Sequence, residues 1–182
     1  SNLLAGAKNL TKMQPLPCGV TPHEVVLQRG KLRLLHYKGD KPTSQSIPLL
    51  IVYSLINRPY MADIQHGQSM VQGLLDRGQD VYLIDWGYPD ANDRYTSLDD
   101  YINGAINACV NELCRRQRVD QINLLGICQG GVLGLCYSAL HTDKIRNLIT
   151  MVTPVDFHTS DNMLTHWAKD IDVDQLVDVL GN

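Results

Sequence analysis

The stretch NLLGICQGG (residues 123–131) places one cysteine between an apolar run and a pair of glycines. Its centre, G-x-C-x-G from Gly126 to Gly130, is typical of a nucleophile elbow, the sharp turn that joins a buried strand to a helix. Glycine at both flanking positions would give the backbone room for the close approaches that such a turn requires. We therefore predict that Cys128 is a catalytic nucleophile.

The elbow pattern alone is weak evidence, because only three of its five positions are fixed and a free cysteine packs well in a core. Its place along the chain strengthens the prediction, since apolar runs that predict buried strands alternate with segments of helical pattern. The predicted strands lie at 48–56, 80–87, 121–127 and within 145–157, and the predicted helices lie at 66–78, from Ser97 onward, at 129–141 and at 174–182.

This alternation predicts the α/β class, with a mostly parallel sheet and helices on both of its faces. In such sheets the carboxyl ends of the strands meet at one edge, where ligands bind. Cys128 directly follows a predicted strand and falls at this edge. Nearer the start of the chain, two short β-like runs predict a hairpin that turns at Arg29 and Gly30. Residues 1–22 are predicted to form an N-terminal arm.

Two patterns concern the helices themselves. Ser97 and Asp100 form a weak capping-box signal where the second helix should begin. Apolar residues then recur at helical spacing and should face the core. They are Leu98, Ile102, Ala105, Ile106, Cys109 and Leu113. Cys136, about two helical turns beyond Cys128, is also predicted to pack in the core.

Composition argues against several classes of function. The 182 residues suit one domain, and the net charge of −3 with scattered basic residues argues against a nucleic-acid surface. Five cysteines without a C-x-x-C pair argue against a zinc cluster and a disulfide framework. The longest apolar run, at 48–56, is about half as long as a membrane span, and no signal peptide is visible. We therefore predict no metal site, no membrane span and a cytoplasmic location.

A thiol at the elbow favours acyl transfer over hydrolysis. A serine nucleophile holds its acyl group as an unreactive oxoester, whereas a cysteine holds it as a thioester that keeps the potential for transfer. Loading from a thioester donor such as an acyl-CoA is then a nearly balanced thiol exchange. The backbone N–H of Gln129 should donate to the oxyanion, and a second donor should come from about Ile56 or Asn57 in the loop after the first buried strand.

Five segments together resemble the polyhydroxyalkanoate synthases, and most of all the catalytic subunit of the two-component, class III type. The resemblance extends from about residue 47 to residue 182. The segments are PLLIVYSLINRPYMADIQ, GQDVYLIDWGYPD, LDDYINGAIN, NLLGICQGG and LITMVTPVDF.

The resemblance implies an α/β-hydrolase core that polymerises (R)-3-hydroxyacyl-CoA, typically 3-hydroxybutyryl-CoA, into polyester and releases CoA. The family's nucleophile falls on Cys128 and its oxyanion amide on Gln129. The loop on the other side of its acyl pocket falls on residues 55–58, which implies Ile56 as the second oxyanion donor and Asn57 as a substrate-binding residue. The resemblance further implies a non-catalytic second subunit, an oligomer, and attachment to the surface of cytoplasmic polyester granules. It implies no metal or organic cofactor, because CoA is the leaving group.

The chain departs from the family in one respect. The family's catalytic aspartate and histidine come after a lid segment well beyond the nucleophile, and none of the three histidines that follow Cys128 matches that histidine. These are His141, His158 and His166. We interpret residues 23–182 as the N-terminal part of an α/β-hydrolase catalytic domain, without the lid and the catalytic Asp and His segment, and expect this piece alone to be inactive.

Two other functions fit the elbow. The first is a cysteine hydrolase of the dienelactone hydrolase kind, which also carries G-x-C-x-G and would release a small free acid. The second is a non-catalytic fragment or assembly module, in which Cys128 would be only a small core residue. His158, in the loop after the fourth predicted strand, is a further candidate for a role beside the substrate, and His141 for a capping or surface role.

Overall fold

The computed structural model describes residues 18–156, 163–169, 171–172 and 175. It contains a six-stranded sheet and a small two-stranded sheet. The strands are β1 His23–Arg29, β2 Leu32–Tyr37, β3 Leu49–Val52, β4 Asp63–Gln65, β5 Gln68–Ser69, β6 Val81–Asp85, β7 Ile122–Ile127 and β8 Ile145–Met151. The large sheet has the order β1-β2-β6-β3-β7-β8, and β6, β3, β7 and β8 are parallel. The antiparallel β1 and β2 extend it at one edge.

Between residues 18 and 169, leaving out the undescribed 157–162, four α-helices accompany the sheet, and the longer ones follow the parallel strands. They are α1 Met70–Leu75, α2 Asn107–Gln117, α3 Gln129–Leu140 and α4 Met163–Lys169. A π-helical segment, Asp100–Ile106, leads directly into α2. Short 3-10 turns occupy Pro59–Ala62 and Ala91–Tyr95.

Helices cover both faces of the sheet, as the sequence predicts. The four residues of β3 are all buried, and they alternate between two apolar clusters. Leu50 and Val52 pack with α2 and α3, whereas Leu49 and Ile51 pack with α1. A strand buried on both faces has no side facing the solvent, so its sequence is a continuous apolar run without alternating polar residues. The predicted α/β fold class is therefore confirmed.

The predicted hairpin is also confirmed. β1 and β2 pair antiparallel from His23 opposite Tyr37 to Arg29 opposite Leu32. Gly30 turns the chain with φ of 56°, a backbone conformation that glycine adopts without a steric penalty.

Two predicted boundaries after β3 are wrong: the end of the strand predicted at 48–56 and the start of the helix predicted at 66–78. The predicted strand at 48–56 ends at Val52, and the remaining residues form a loop. The predicted helix at 66–78 begins only at Met70, because Gly67 with φ of 77° turns β4 into β5. The Ser69 hydroxyl then accepts the Gln72 N–H at 2.9 Å and caps α1.

The predicted capping box before the second helix is present, but one member of the predicted apolar stripe is not in the core. Ser97 N–H donates to the Asp100 carboxylate, and Asp100 N–H donates to the Ser97 hydroxyl. Leu98 is 67% exposed, whereas Ile102 and Cys109 are buried. Leu98 lies in the turn that precedes the π-helical segment, so a stripe drawn at 3.6 residues per turn places it on the wrong face.

Cys136 is exposed, contrary to the prediction that it packs in the core. The inward face of α3 is carried by residues spaced i, i+3, i+4 and i+7, and position 136 lies outside that stripe. The buried residues that define the stripe are Gly130, Leu133, Gly134 and Tyr137.

The end of the predicted arm packs onto the domain. Gly19 N–H donates to the Asp63 carbonyl at 2.8 Å, and both the N–H and the hydroxyl of Thr21 donate to the Asp63 carboxylate. Thr21 and Asp63 are buried. Residues 1–17 of the predicted arm and the predicted helix at 174–182, Gln175 excepted, lie outside the described residues.

Candidate active site

Cys128 lies between β7 and α3 with φ of 55° and ψ of −127°, a strained backbone conformation for a residue with a side chain. Its N–H donates to the Met151 carbonyl of β8 at 2.9 Å, and its carbonyl accepts from Gly131 N–H at 2.9 Å. These bonds hold the turn from both sides. The side chain is partly buried and lies at the carboxyl end of the sheet, where the sequence places it.

The two glycines of the elbow allow backbones to approach within distances that a side chain would forbid. A Cβ at Gly126 would lie 2.5 Å from the Gly131 Cα. A Cβ at Gly130 would lie 2.1 Å from the Val52 carbonyl oxygen and 2.7 Å from that of Tyr53. The helix therefore starts directly against the end of β3, which brings the chain after Val52 close to Gln129.

The loop of residues 53–58, which follows β3, is fastened to the first residue of α3. The Gln129 Oε1 accepts the Leu55 N–H at 3.2 Å and the Ser54 hydroxyl at 3.4 Å. On the side of β6, the Trp86 indole N–H donates to the Tyr53 carbonyl at 3.1 Å. The Trp86 ring in turn makes an edge contact with Tyr101 of the π-helical segment, with ring centroids 5.5 Å apart.

Arg58 ties the far end of this loop to the chain after β6. Its Nη1 donates to the Gly87 carbonyl at 2.8 Å, and its Cζ lies 2.9 Å from the centroid of the Tyr88 ring. This geometry is a cation–π contact. The 53–58 loop is thus held at both ends, by Gln129 on one side and by residues 86–88 on the other.

The structure brings the predicted site residues to one edge of the sheet. Gln129 is the first residue of α3, so its N–H is one of those that have no carbonyl partner within the helix. Ile56 and Asn57 lie in the 53–58 loop with exposed side chains, and that of Ile56 is 84% exposed. The Ile56 N–H donates to the Ser54 hydroxyl at 3.2 Å.

Sequence reasoning missed Ser54. Its side chain is buried, and it connects Ile56 to Gln129. The only signal for it is a hydroxyl residue at the end of the apolar run LLIVYS. A serine at the end of a strand is common, so the signal is not specific.

A second strained residue stands beside the elbow. Val152, directly after β8, has φ of 46°, which is rare for a β-branched residue. The preceding residue, Met151, supplies the carbonyl that accepts Cys128 N–H. Two adjoining chain segments therefore carry strain at this edge, as is common at functional sites.

Among residues 18–156, no histidine ring is hydrogen-bonded to the Cys128 sulfur. His141 caps the end of α3, where its Nε2 lies 2.8 Å from the Asn103 Oδ1 and its ring stacks on Tyr137. His166 lies in α4, and His158 lies outside the described residues.

Among the other cysteines, Cys114 is partly buried like Cys128, and the remaining three differ from it in exposure. Cys109 is fully buried, and burial raises the pKa of its thiol to about 12, with the Arg29 charge opposing this shift. Burial also raises the pKa of Cys114. Cys18 and Cys136 are exposed.

A cleft of about 390 Å³ opens beside the 53–58 loop. Leu55 and Trp86 form the wall that it shares with the loop, and Tyr101 forms another. Lys31 at its rim forms ion pairs with Asp90 and Asp93, which raise the pKa of its amine. The cleft thus has an apolar wall on the side of the 53–58 loop and ion-paired charges at its rim.

Neither a metal cluster nor a membrane-spanning helix is present among the described residues. No cluster of three or more His, Cys, Asp or Glu side chains suited to a metal ion is present among them. In the same part of the chain, no helix has the length and apolar character needed to cross a bilayer.

Two family models match the chain. Residues 47–175 match the alpha/beta hydrolase fold, and residues 16–74 match the N-terminus of poly-beta-hydroxybutyrate polymerase (PhaC). Among solved structures, the Francisella virulence factor BioJ aligns with a TM-score of 0.60 and 14% identity, covering 87% of this chain and 52% of that one. At that identity the likeness concerns the fold alone.

Curated relatives are much more similar in sequence. The poly(3-hydroxyalkanoate) polymerase subunit PhaC of Allochromatium vinosum is 55% identical over 179 residues, which is 97% of this chain and 50% of that protein. The subunit of the same name from Thiocystis violacea is 54% identical over 185 residues, covering 100% of this chain and 52% of that protein. The chain therefore spans about half the length of the curated relatives it matches.

Proposed function

The chain belongs to the α/β-hydrolase family and, within it, to the poly(3-hydroxyalkanoate) polymerases, and from this premise we propose that it carries the nucleophile half of a polyester synthase. The substrate is an (R)-3-hydroxyacyl-CoA, typically 3-hydroxybutyryl-CoA. The products are a polyhydroxyalkanoate chain and free CoA. The observation that carries the proposal is the strained Cys128, at the carboxyl edge of the sheet and at the start of α3.

In the first step, the Cys128 thiolate attacks the thioester carbonyl of the substrate. A new sulfur–carbon bond forms, the bond to the CoA sulfur breaks, and CoA leaves as a thiolate that takes up the proton lost earlier by Cys128. The acyl group is then held as a thioester on Cys128. Because the bond broken and the bond formed are both thioesters, the step conserves acyl-transfer potential.

In the second step, the hydroxyl of another 3-hydroxyacyl unit attacks the Cys128 thioester. An oxoester forms, the cysteine thiol is released, and the polyester is longer by one unit. Each oxoester is more stable than the thioester it replaces, so chain growth is favourable. A serine at position 128 would store the acyl group as an oxoester and would lose this driving force.

Both steps pass through a tetrahedral oxyanion. Gln129 N–H, at the helix start, is the first proposed donor to it, and Ile56 N–H is the second. Asn57, exposed in the same loop, is the proposed substrate-binding residue. The fastening of this loop to Gln129 supports the assignment, because donors must be fixed before charge develops.

The thiol and the incoming hydroxyl both need a base to remove their protons. Since His141 is engaged with Asn103, it does not serve. We propose that the base and its carboxylate partner come from the second half of the full-length protein, the half that the curated relatives possess and this chain does not span. On this proposal, residues 1–182 alone do not turn over.

The proposal extends to partners and place. By the family resemblance, the protein acts with a non-catalytic second subunit in an oligomer on the surface of cytoplasmic polyester granules. CoA is a leaving group in this chemistry, and neither a metal nor an organic cofactor takes part in any step.

The test uses full-length protein with its second subunit and 3-hydroxybutyryl-CoA. We expect CoA release together with insoluble polyester, and a covalent acyl adduct on the peptide that contains Cys128. Cys128→Ala should abolish the adduct and the polymer, whereas Cys136→Ala, which removes an exposed thiol on the same helix, should leave both unchanged.

Two outcomes would contradict the proposal. CoA release with free 3-hydroxybutyrate and no polymer would assign a hydrolase of the dienelactone hydrolase kind. Polymer formation by the Cys128→Ala variant would remove Cys128 from the mechanism.

A further inference from the structure

Three hydrogen bonds connect residues 54–56 of the 53–58 loop to one another and to Gln129, the residue beside Cys128. Ile56 N–H donates to the Ser54 hydroxyl at 3.2 Å, and that hydroxyl lies 3.4 Å from the Gln129 Oε1, to which it donates. Leu55 N–H donates to the same Oε1 at 3.2 Å. Ser54 is 1% exposed, so water does not compete freely for these bonds.

We propose that Ser54 is a positioning residue for the acylation of Cys128, a role that rests on the function proposed above. Before substrate binds, its hydroxyl oxygen accepts the Ile56 N–H and so stands in for the acyl oxygen. As the oxyanion forms, the Ile56 N–H transfers from the hydroxyl to the oxyanion. The 53–58 loop does not have to be reordered in that step.

The acceptor strengths set the direction of this exchange. A hydrogen bond to an ionised acceptor is roughly twice as strong as a bond between neutral groups. The Ser54 hydroxyl is neutral, so it is a strong enough acceptor to hold the Ile56 amide in the free enzyme and weak enough to release it. A carboxylate at this position would hold the amide too firmly and would repel the oxyanion.

The exchange leaves no buried polar group without a partner. When Ile56 N–H moves, the Ser54 hydroxyl still donates to Gln129 Oε1. Leu55 N–H stays bound to the same oxygen, so the loop remains fastened to α3. The two amides therefore differ in their acceptors. The Leu55 N–H is bound to the Gln129 side chain, which anchors the loop to α3, whereas the Ile56 N–H is bound to the Ser54 hydroxyl.

The test compares two reactions of the same sulfur in full-length protein. Acylation by 3-hydroxybutyryl-CoA, measured as CoA release in a single turnover at saturating substrate, requires an oxyanion. Alkylation by iodoacetamide displaces iodide at a saturated carbon and requires none. We expect Ser54→Ala to slow acylation of Cys128 about 10-fold. Its alkylation rate should stay within about two-fold of the unmodified protein, since the thiol itself is untouched.

Ser138→Ala is the matched control, because the Ser138 hydroxyl is buried in α3 without a hydrogen-bond partner among the described residues. It should change neither rate. Gln129→Met removes the anchor for Ser54 and Leu55 while keeping the side-chain length, and should slow acylation at least as much as Ser54→Ala. It carries the test if Ser54→Ala does not fold.

Three outcomes overturn the proposal. In the first, Ser54→Ala acylates as fast as Ser138→Ala. In the second, Ser54→Ala slows acylation and alkylation equally, which is the mark of general distortion. In the third, Cys128 of the unmodified protein is alkylated but never acylated, which shows that the proposed function itself has failed and with it the role of Ser54.

Discussion

The two ends of the large sheet both carry polar groups, but they use them differently. At the carboxyl end, neutral side chains hold backbone amides next to the strained Cys128. At the amino end, polar side chains bond to one another. The His36 Nε2 lies 2.8 Å from the Asp80 Oδ1, and the Gln117 amide donates to the Asp80 Oδ2 at 2.8 Å and to the Tyr82 hydroxyl at 2.6 Å.

The amino-end network is closed. The His36 ring also stacks on that of Tyr82 with centroids 4.2 Å apart, and both Asp80 oxygens have partners. A network whose members bond to one another stabilises one conformation. The carboxyl end instead combines backbone strain with donors held by weak acceptors, which a substrate can exchange. Strain and exchangeable bonds, rather than polarity itself, distinguish the candidate site.

The largest expected difference concerns the reactivity of two cysteines. Cys109 lies in the apolar core, and its pKa of about 12 leaves roughly one part in 10⁴ as thiolate at pH 8. Cys128 is partly accessible at the carboxyl edge. Iodoacetamide should therefore modify Cys128 about 10³-fold faster than Cys109. Peptide mapping by mass spectrometry measures both rates, with the exposed Cys136 as a reference; equal slow rates at Cys128 and Cys109 would mean that the carboxyl edge is sealed.

The next prediction concerns the close packing that brings the elbow against β3. In Gly130→Ala, the added Cβ would meet the Val52 and Tyr53 carbonyls, so the elbow or the strand must move. We expect the free energy of unfolding to fall by about 3 kcal/mol. Urea denaturation measures it, and Gly104→Ala is the control because a Cβ there meets no atom within 4 Å. Matching urea midpoints for the two variants would show that the elbow tolerates the methyl group.

A smaller loss of stability is expected from breaking the amino-end network. Asp80→Ala removes the acceptor shared by His36 and Gln117, and we expect a loss of about 2 kcal/mol in the free energy of unfolding. Asp40→Ala, at an exposed position, should have no effect. The alkylation rate of Cys128 should be the same in both variants. A changed rate in Asp80→Ala alone would show that the two ends of the sheet are coupled.

The smallest effect concerns alkaline pH. Burial raises the pKa of Tyr82 to about 12, whereas an unfolded tyrosine ionises near pH 10. The stability that neutral Tyr82 contributes is therefore complete below about pH 10 and is lost as the pH rises toward 12. From pH 9 to pH 11, the free energy of unfolding should therefore fall in both proteins, but by about 1 kcal/mol less in Tyr82→Phe than in the unmodified protein. Urea midpoints across that range measure the difference, and parallel curves would show that Tyr82 is not the group responsible.

Much of the fold could be predicted from short segments. β6 and β7 each lie within a predicted strand, because a strand buried on both faces is mostly apolar. β8 also lies within a predicted strand, although it is at the edge of the sheet and is partly exposed. The boundaries near residues 53–69 could not be predicted in this way. There the apolar run continues past Val52, but the strand does not, because the start of α3 at Gly130 packs directly against the Val52 and Tyr53 carbonyls.

The site was predictable to a similar extent. Cys128 and Gln129 belong to one local motif, so their place at a strand-to-helix turn follows from the sequence. Ser54 lies 75 residues before Gln129, and nothing local to it signals their contact. Cys136 shows the same limit, since its exposure depends on which stripe of α3 meets the sheet.

By itself, the sequence determined the α/β class, the hairpin at Gly30 and the strand-to-helix turn at Cys128, because each depends on residues a few positions apart. Only the tertiary structure decided where β3 ends, which residues fasten the 53–58 loop, and which backbone amide the Ser54 hydroxyl holds. Those features depend on hydrogen bonds between segments far apart in the chain, and such bonds form only once the sheet has brought the carboxyl ends of its strands together.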